Sequence, residues 1–322
     1  MKLPAESRQF DFWVGAWDVN LRVQQPDLSW KDSVKAEARV YPILFGKAVL
    51  ELWDSPNIKG YSLRYFDVKQ GKWVLWLNWP GQDRSGSSSL TGSFRHGRGD
   101  FTSSSKRADG STSISRYSFN DISSDSLRWD DSYSDDGGKT WRNQWIMEFT
   151  RKAKRPTLKP EGGTEHTFVD GGRGTLAQYR KYEFLAGSYE GELNLPGIEA
   201  PVPASWRGYR VLDGTAVIAF LRFEIEGVPR EVFYHLTWNT YSKRYEFTVL
   251  DDSPRSSAYL AYSEADAEAL TVTTRADEEG RQFRFHVSQS EGGTIEWRTE
   301  INTPDGEAWT NHATASFSPG TP

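Results

Sequence analysis

Hydrophobic and polar residues alternate with a period of two through most of this chain. In 127–133, Leu127, Trp129, Asp131 and Tyr133 share one parity, and Arg128, Asp130 and Ser132 share the other. Side chains alternate across a pleated strand, so the first set marks an inward face that is apolar except for Asp131. Segments such as VLWLNW (74–79), VFYHLTW (232–238), YEFTVL (245–250) and RQFRFHV (281–287) are short, aromatic and β-branched, which is strand composition. Turn signals KQGK, ADG, SDDGG and TPDG punctuate them. SEADAEAL (263–270) alone reads as a helical turn, so the pattern predicts an all-β protein.

The chain also repeats itself. QFDFWVGAWDVNL (9–21) matches KYEFLAGSYEGEL (181–193), pairing Phe10 with Tyr182, Gly15 with Gly187 and Trp17 with Tyr189. YFDVKQGKWVLWL (65–77) matches TWNTYSKRYEFTV (237–249) at the same spacing, and LFGKAVLEL (44–52) matches LDGTAVIAF (212–220). DGGKTWRNQWIMEF (136–149) matches DGEAWTNHATASF (305–317) after one deletion in the turn, pairing Trp141 with Trp309 and Asn143 with Asn311. Four matches in one order indicate a tandem duplication. The domains are 1–152 and 179–322, joined by a Pro-, Gly- and charge-rich linker over 153–178. A meander of many strands in each half predicts a closed antiparallel barrel, which leaves no unpaired edge.

FDFWVGAWDV (10–19) together with SDDGGKTWRNQWIMEFTRK (134–152) resembles a bacterial family of unknown function with a lipocalin-like, calycin-type β-barrel. The resemblance covers most of 8–152 and, more weakly, 179–318. The Phe-x-x-Gly-x-Trp opening is also similar to lipocalins and to nitrobindin-like haem barrels. In those proteins a first-strand Trp seals one barrel end, a role the resemblance gives to Trp17 and, by conservative replacement, Tyr189. It implies two tandem antiparallel lipocalin-like barrels, each similar to half of a calycin homodimer. The chain would then be an intramolecular pseudo-dimer, with a homodimer as a further option. Fold alone implies no reaction.

Parity selects the candidate site residues. Asp131, on a Trp/Tyr-lined face, is an acid/base candidate, because desolvation raises a carboxyl pKa. Tyr133 and Asn143 would orient a bound molecule, and Trp129 and Trp145 would stack on it. In the second repeat the matching inward positions are Trp297, Thr299 and Asn311. Tyr61, Leu63 and Tyr65 share a parity matched by Phe233, His235 and Thr237, and this set is also read as inward. His235 is thereby the one inward histidine, a further catalytic candidate and the residue a nitrobindin-like haem would use. His286 and His312 read as outward, while His96 and His166 fall in Gly-rich or linker sequence.

Composition narrows the classes. The net charge of −5 provides no general basic face for nucleic acid. The absence of cysteine removes disulfides and thiolate metal sites, and no His/Glu spacing reads as a metal site. MKLPAESRQF has no apolar signal-peptide core, and no stretch approaches the ~18 apolar residues of a membrane span, so a soluble cytoplasmic protein is expected. Residues 134–141 fit the S-x-D-x-G-x-T-W Asp-box of sialidases. One intact copy and one decayed copy, TPDGEAW, make it a hairpin device rather than a propeller. SSSLTGSFRHGRGDFTSSS (87–105) reads as a flexible loop or edge hairpin.

Ten of the fourteen Trp lie in the first repeat, which singles it out as the ligand-bearing barrel. The expected function is binding of a small hydrophobic or aromatic molecule in that cavity, with no cofactor. The alternative is a cofactor-independent isomerase, cyclase or hydrolase working through Asp131, and the third reading is haem binding.

Overall fold

A computed structural model describes residues 3–80, 88–152, 176–253, 258–264, 270–277, 280–302 and 308–320. Ten antiparallel strands meander through the first repeat: β1 (Gly15–Gln24), β2 (Trp30–Ile43), β3 (Ala48–Asp54), β4 (Lys59–Asp67), β5 (Lys72–Asn78), β6 (Ser88–Arg95), β7 (Arg98–Lys106), β8 (Thr112–Asn120), β9 (Ser126–Ser134) and β10 (Arg142–Arg151). β10 returns to pair with β1, with Trp17 opposite Arg151 and Val23 opposite Trp145, and the sheet closes. The second repeat, after a short helix α1 (Ala177–Arg180), closes in the same way. Its strands are β11 (Gly187–Asn194), β12 (Val202–Val211), β13 (Ala216–Ile225), β14 (Val228–Asn239), β15 (Arg244–Asp251), β16 (Tyr259–Ser263), β17 (Leu270–Thr274), β18 (Phe283–Gln289), β19 (Ile295–Asn302) and β20 (Trp309–Pro319). The chain divides into two compact units, one holding each barrel. No helix among the described residues is long and apolar enough to cross a membrane.

The duplication extends to single bonds. The Trp73 indole donates to the Glu6 carbonyl (3.1 Å), and the Tyr245 hydroxyl, its counterpart, donates to the Gln178 carbonyl (2.9 Å). Gln178, at the end of the expected linker, therefore already belongs to the second barrel's closure. Most of that linker, 153–175, lies outside the described residues, as do the core of the expected helical turn at 263–270 and most of the decayed Asp-box copy. Residues 88–105 form a hairpin rather than a loop, and it is not at an edge: β6 and β7 lie within a closed sheet, joined by a tight turn at His96 (φ 51°) and Gly97 (φ 75°). Gly92 is required there, because a Cβ would stand 1.9 Å from the Asp100 carbonyl oxygen.

One end of the first barrel is sealed by two 3-10 turns, Ala5–Arg8 and Asp11–Trp13. Phe10 and Trp13 drop from them into the interior and meet Phe119 at 5.3 and 4.9 Å between centroids. Trp17 is fully buried, donates to the Trp13 carbonyl (2.8 Å) and lies 4.0 Å beneath the Arg151 guanidinium. Arg151 in turn donates to the carbonyls of Val14, Phe12 and Ser124. In the second barrel Tyr189 donates to the Phe184 carbonyl and Trp206 to the Leu185 carbonyl (2.8 Å).

The Asp-box is a hairpin cap. Asp136 accepts from the Lys139 and Thr140 amides (2.9 Å each) and the Thr140 hydroxyl (2.6 Å), which holds its carboxyl well below the usual range. Gly137 and Gly138 supply the positive φ. Trp141 lies 3.8 Å from the Arg116 guanidinium, and Trp309 lies 3.8 Å from that of Arg284, the same pair in both barrels.

Candidate functional site

The first barrel's inner face is not filled evenly from end to end. Trp13, Trp17, Phe119 and Phe149 are fully buried near the sealed end, whereas Val23, Tyr117, Asp131, Tyr133, Trp145 and Met147 toward the other end are only part-buried. Three strands position this region. Tyr117 of β8, Asp131 of β9 and Trp145 of β10 are direct cross-strand neighbours. One layer deeper, Phe119, Trp129 and Met147 form the next row. Tyr117 and Trp129 are 4.6 Å apart at 59°, and Trp129 and Trp145 are 6.0 Å apart at 68°, so three rings stand at steep mutual angles around one carboxyl group.

Burial pushes the Asp131 carboxyl up to about 7. The Trp145 indole N–H faces it and pulls weakly the other way, without completing a full hydrogen bond. No cation among the described residues offsets the burial. At neutral pH this group is divided between acid and carboxylate, and so can give or take a proton or accept a charged partner.

A second polar cluster lies deeper. Glu51 of β3 and Ser62 and Arg64 of β4 share the inner face with Val49 and Trp53. Glu51 accepts from the Ser62 hydroxyl (2.6 Å) and from Arg64 (2.9 Å), whose guanidinium lies 4.8 Å from the Trp13 ring and 5.7 Å from Phe119. In the second barrel the corresponding residues are Ala219, Tyr234 and Leu236. There Trp297 sits among Trp206, Tyr234, Phe247 and Phe285 at 4.9–6.1 Å, and its indole donates to Thr299 (3.2 Å). The first barrel thus carries a buried ion pair within its ring-packed core, where the second has apolar residues and a tyrosine.

Several expected placements are corrected. Asn143 and Asn311 are not inward. In each barrel the last strand has a bulge, between Asn143 and Trp145 and again opposite Thr299 and Glu300. One extra residue inverts the parity of everything before it, so Asn143 pairs with outward Ser132, Asn311 pairs with outward Glu300, and both are exposed. The same bulge brings His312 against inner Phe283 (5.7 Å) rather than outward, and burial lowers its pKa. Tyr61, Tyr65 and His235 face away from the barrel interiors. Arg64 and Ser62 occupy the inner face of β4, and Tyr234, Leu236 and Trp238 that of β14. The opposite faces of these strands are also buried, and His235 is fully so, with its pKa pushed down to about 3 by burial.

Trp17 and Tyr189 are end seals rather than parts of an open site. Trp297 is likewise core. Trp129, Asp131, Trp145 and rim residue Tyr133 are brought together as the alternation implies. His286 is outward as expected, bonded to Thr271 (3.0 Å) and Glu300 (2.8 Å). No described histidine reaches the first barrel's inner face, and His235, the residue expected to hold a nitrobindin-like haem, lies outside the second barrel's interior cluster and does not fit that role. No group of three or more His, Asp or Glu among the described residues could hold a metal.

The alternation missed Tyr117, Glu51, Ser62 and Arg64. The signal was present in GYSLRYF (60–66), where Ser62 and Arg64 share a parity.

No family model matches this chain, and no curated protein does. Thirteen chains among solved structures match. One is a protein of unknown function from the DUF3598 family of Nostoc punctiforme, 9% identical, aligned over 99% of this chain and 100% of that one with a TM-score of 0.23. A likeness that slight carries no argument about what either chain does.

Proposed function

We propose that the first barrel binds a small, largely apolar or aromatic molecule at its open end, between Tyr117, Trp129 and Trp145. The supporting observation is the unequal filling of the inner face: three part-buried or tilted rings surround a carboxyl group where the sealed end is fully packed. The Trp17–Arg151 seal is in keeping with a calycin-type barrel, whose ligands enter from one end only. The test is titration with the neutral fluorescent probe N-phenyl-1-naphthylamine. One site per chain is expected in the wild type, and it is lost in Trp145→Ala while the far-ultraviolet circular dichroism is retained. Undiminished binding by Trp145→Ala sinks the proposal.

A second reading has its own observation, the Asp131 carboxyl at about 7. A group poised there suits proton transfer to or from a molecule held against Trp129 and Trp145, in an isomerase- or hydrolase-type step. Its signature is turnover with a pH midpoint near 7 that disappears in Asp131→Asn.

A further inference from the structure

We infer that the ligand of the first barrel is an organic cation: an amine or quaternary ammonium with an apolar body, held by the Asp131 carboxylate and the ring faces of Tyr117, Trp129 and Trp145. This inference rests on the open-end site proposed above and names the chemistry that site selects.

The charge balance comes first. Arg64 and Arg151 reach into this interior and both are committed, while Lys31 and Arg142 stand exposed at the rim opposite Val23 and Tyr133. Arg64 is 2.9 Å from Glu51, and Arg151 is bonded to three backbone carbonyls at the sealed end. The titratable group beside Asp131 on β8 is Tyr117, and that on β9 is Tyr133. On β10 the neighbour is Trp145, with exposed Arg142 opposite Tyr133 at the rim. Arg116 and Asp130, adjacent in sequence, belong to the outer face: Arg116 donates to Ser132 (3.2 Å), and Asp130 pairs with Arg128 (3.1 Å). Asp131 is therefore a half-buried carboxylate whose charge is not balanced by any described side chain. Such a charge is costly to keep, and a ligand of opposite sign removes the cost.

The rings point the same way. An aromatic face is electron-rich, and Tyr117 and Trp145 flank Asp131 on the neighbouring strands, with Trp129 one row deeper at 59° to the first and 68° to the second. A cation gains from every face it meets, most of all from Trp. An anion would be repelled by the same faces and by Asp131. A neutral hydrocarbon would gain from the rings and leave the carboxylate buried and unpaired. In the second barrel Thr299 replaces Asp131 and Trp297 is locked among other rings, so this selectivity belongs to the first barrel.

The test compares two probes of nearly identical shape, phenyltrimethylammonium and its uncharged isostere tert-butylbenzene. Each is titrated into the full-length protein with tryptophan fluorescence as the readout. At pH 8, where Asp131 is ionised, the cation should bind at least tenfold more tightly than the isostere. At pH 5 the preference should collapse toward unity, and Asp131→Asn should abolish it at pH 8 while still binding tert-butylbenzene. Calorimetry at pH 6.5 in buffers of different ionisation enthalpy should show proton release when the cation binds. Equal or tighter binding of tert-butylbenzene by the wild type at pH 8 overturns the inference and leaves the apolar site standing. Binding of neither probe overturns both.

Discussion

Replacing Asp131 by Asn keeps the shape of the side chain and removes its charge, so the change isolates one electrostatic quantity. Burial raises the carboxyl from 3.8 to about 7. Below pH 4 the group is protonated in both folded and unfolded chains, and its burial costs nothing extra. Above pH 4 the unfolded chain ionises first, so folded stability falls progressively and levels off once pH passes 7. A shift of that size corresponds to about 4 kcal/mol at full effect, and relaxation with water entry at the open end brings the expected figure to about 2–4 kcal/mol. Asp131→Asn should therefore be more stable than the wild type at pH 8 by that amount, and nearly equal to it at pH 4. Guanidinium unfolding followed by tryptophan fluorescence reads this directly, because ten of the fourteen Trp lie in the first repeat. A stability difference that stays constant from pH 4 to 8, or an Asn variant weaker than the wild type at pH 8, would refute the argument.

Other consequences are as direct. Arg64→Leu leaves Glu51 buried without its partner and should cost about 3–5 kcal/mol in chemical denaturation. Adding Glu51→Ala, which copies the second barrel, should restore most of that loss, and a failure to recover would show that the ion pair is not what holds the site. Trp17→Ala removes the seal beneath Arg151 and should lower stability by about 3–5 kcal/mol, measured the same way. Gly208→Ala would set a Cβ 1.7 Å from the Leu185 carbonyl oxygen that Trp206 also uses, and should destabilise the second barrel by about 1–3 kcal/mol. Asp136→Ala should speed amide exchange at Lys139 and Thr140, read by NMR, with little change elsewhere, since the hairpin tip is exposed.

The fold was legible because the duplication and the two-residue period are properties of the chain itself. Leu127, Trp129 and Asp131 read correctly because one face of β9 is apolar and the other carries Arg128, Asp130 and Ser132. Tyr61, Tyr65 and His235 were misassigned because β4 and β14 are buried on both faces. When both sides are buried, polarity no longer tells inside from outside, and in β4 the more polar parity, Ser62 and Arg64, is the interior one. Asn143 and Asn311 failed for a different reason. Parity counting survives only while the register is unbroken, and a bulge adds a residue that nothing in the composition of RNQWI announces. Tyr117 was missed because its ring meets Trp129 across strands, and cross-strand contacts are not visible along one segment.

Closure of each sheet by its first and last strands also governs how the chain comes to fold. Trp17 meets Arg151 across 134 intervening steps of sequence, and Tyr189 meets Pro319 across 130. Contacts that distant are slow to find, because the loop entropy must be lost before the pairing is gained. On the ribosome the first barrel can assemble its hairpins one after another, but β1 waits with an unsatisfied edge until β10 has emerged. At about 5–20 residues per second that wait lasts roughly 7–27 seconds. During that interval the nascent sheet is open to the edge-to-edge association that the finished barrel forbids. A permuted gene that begins at one of the hairpin turns and fuses β10 to β1 would not remove this distant pairing but hand it to the two strands that become first and last, so the wait belongs to the closed ring rather than to β1.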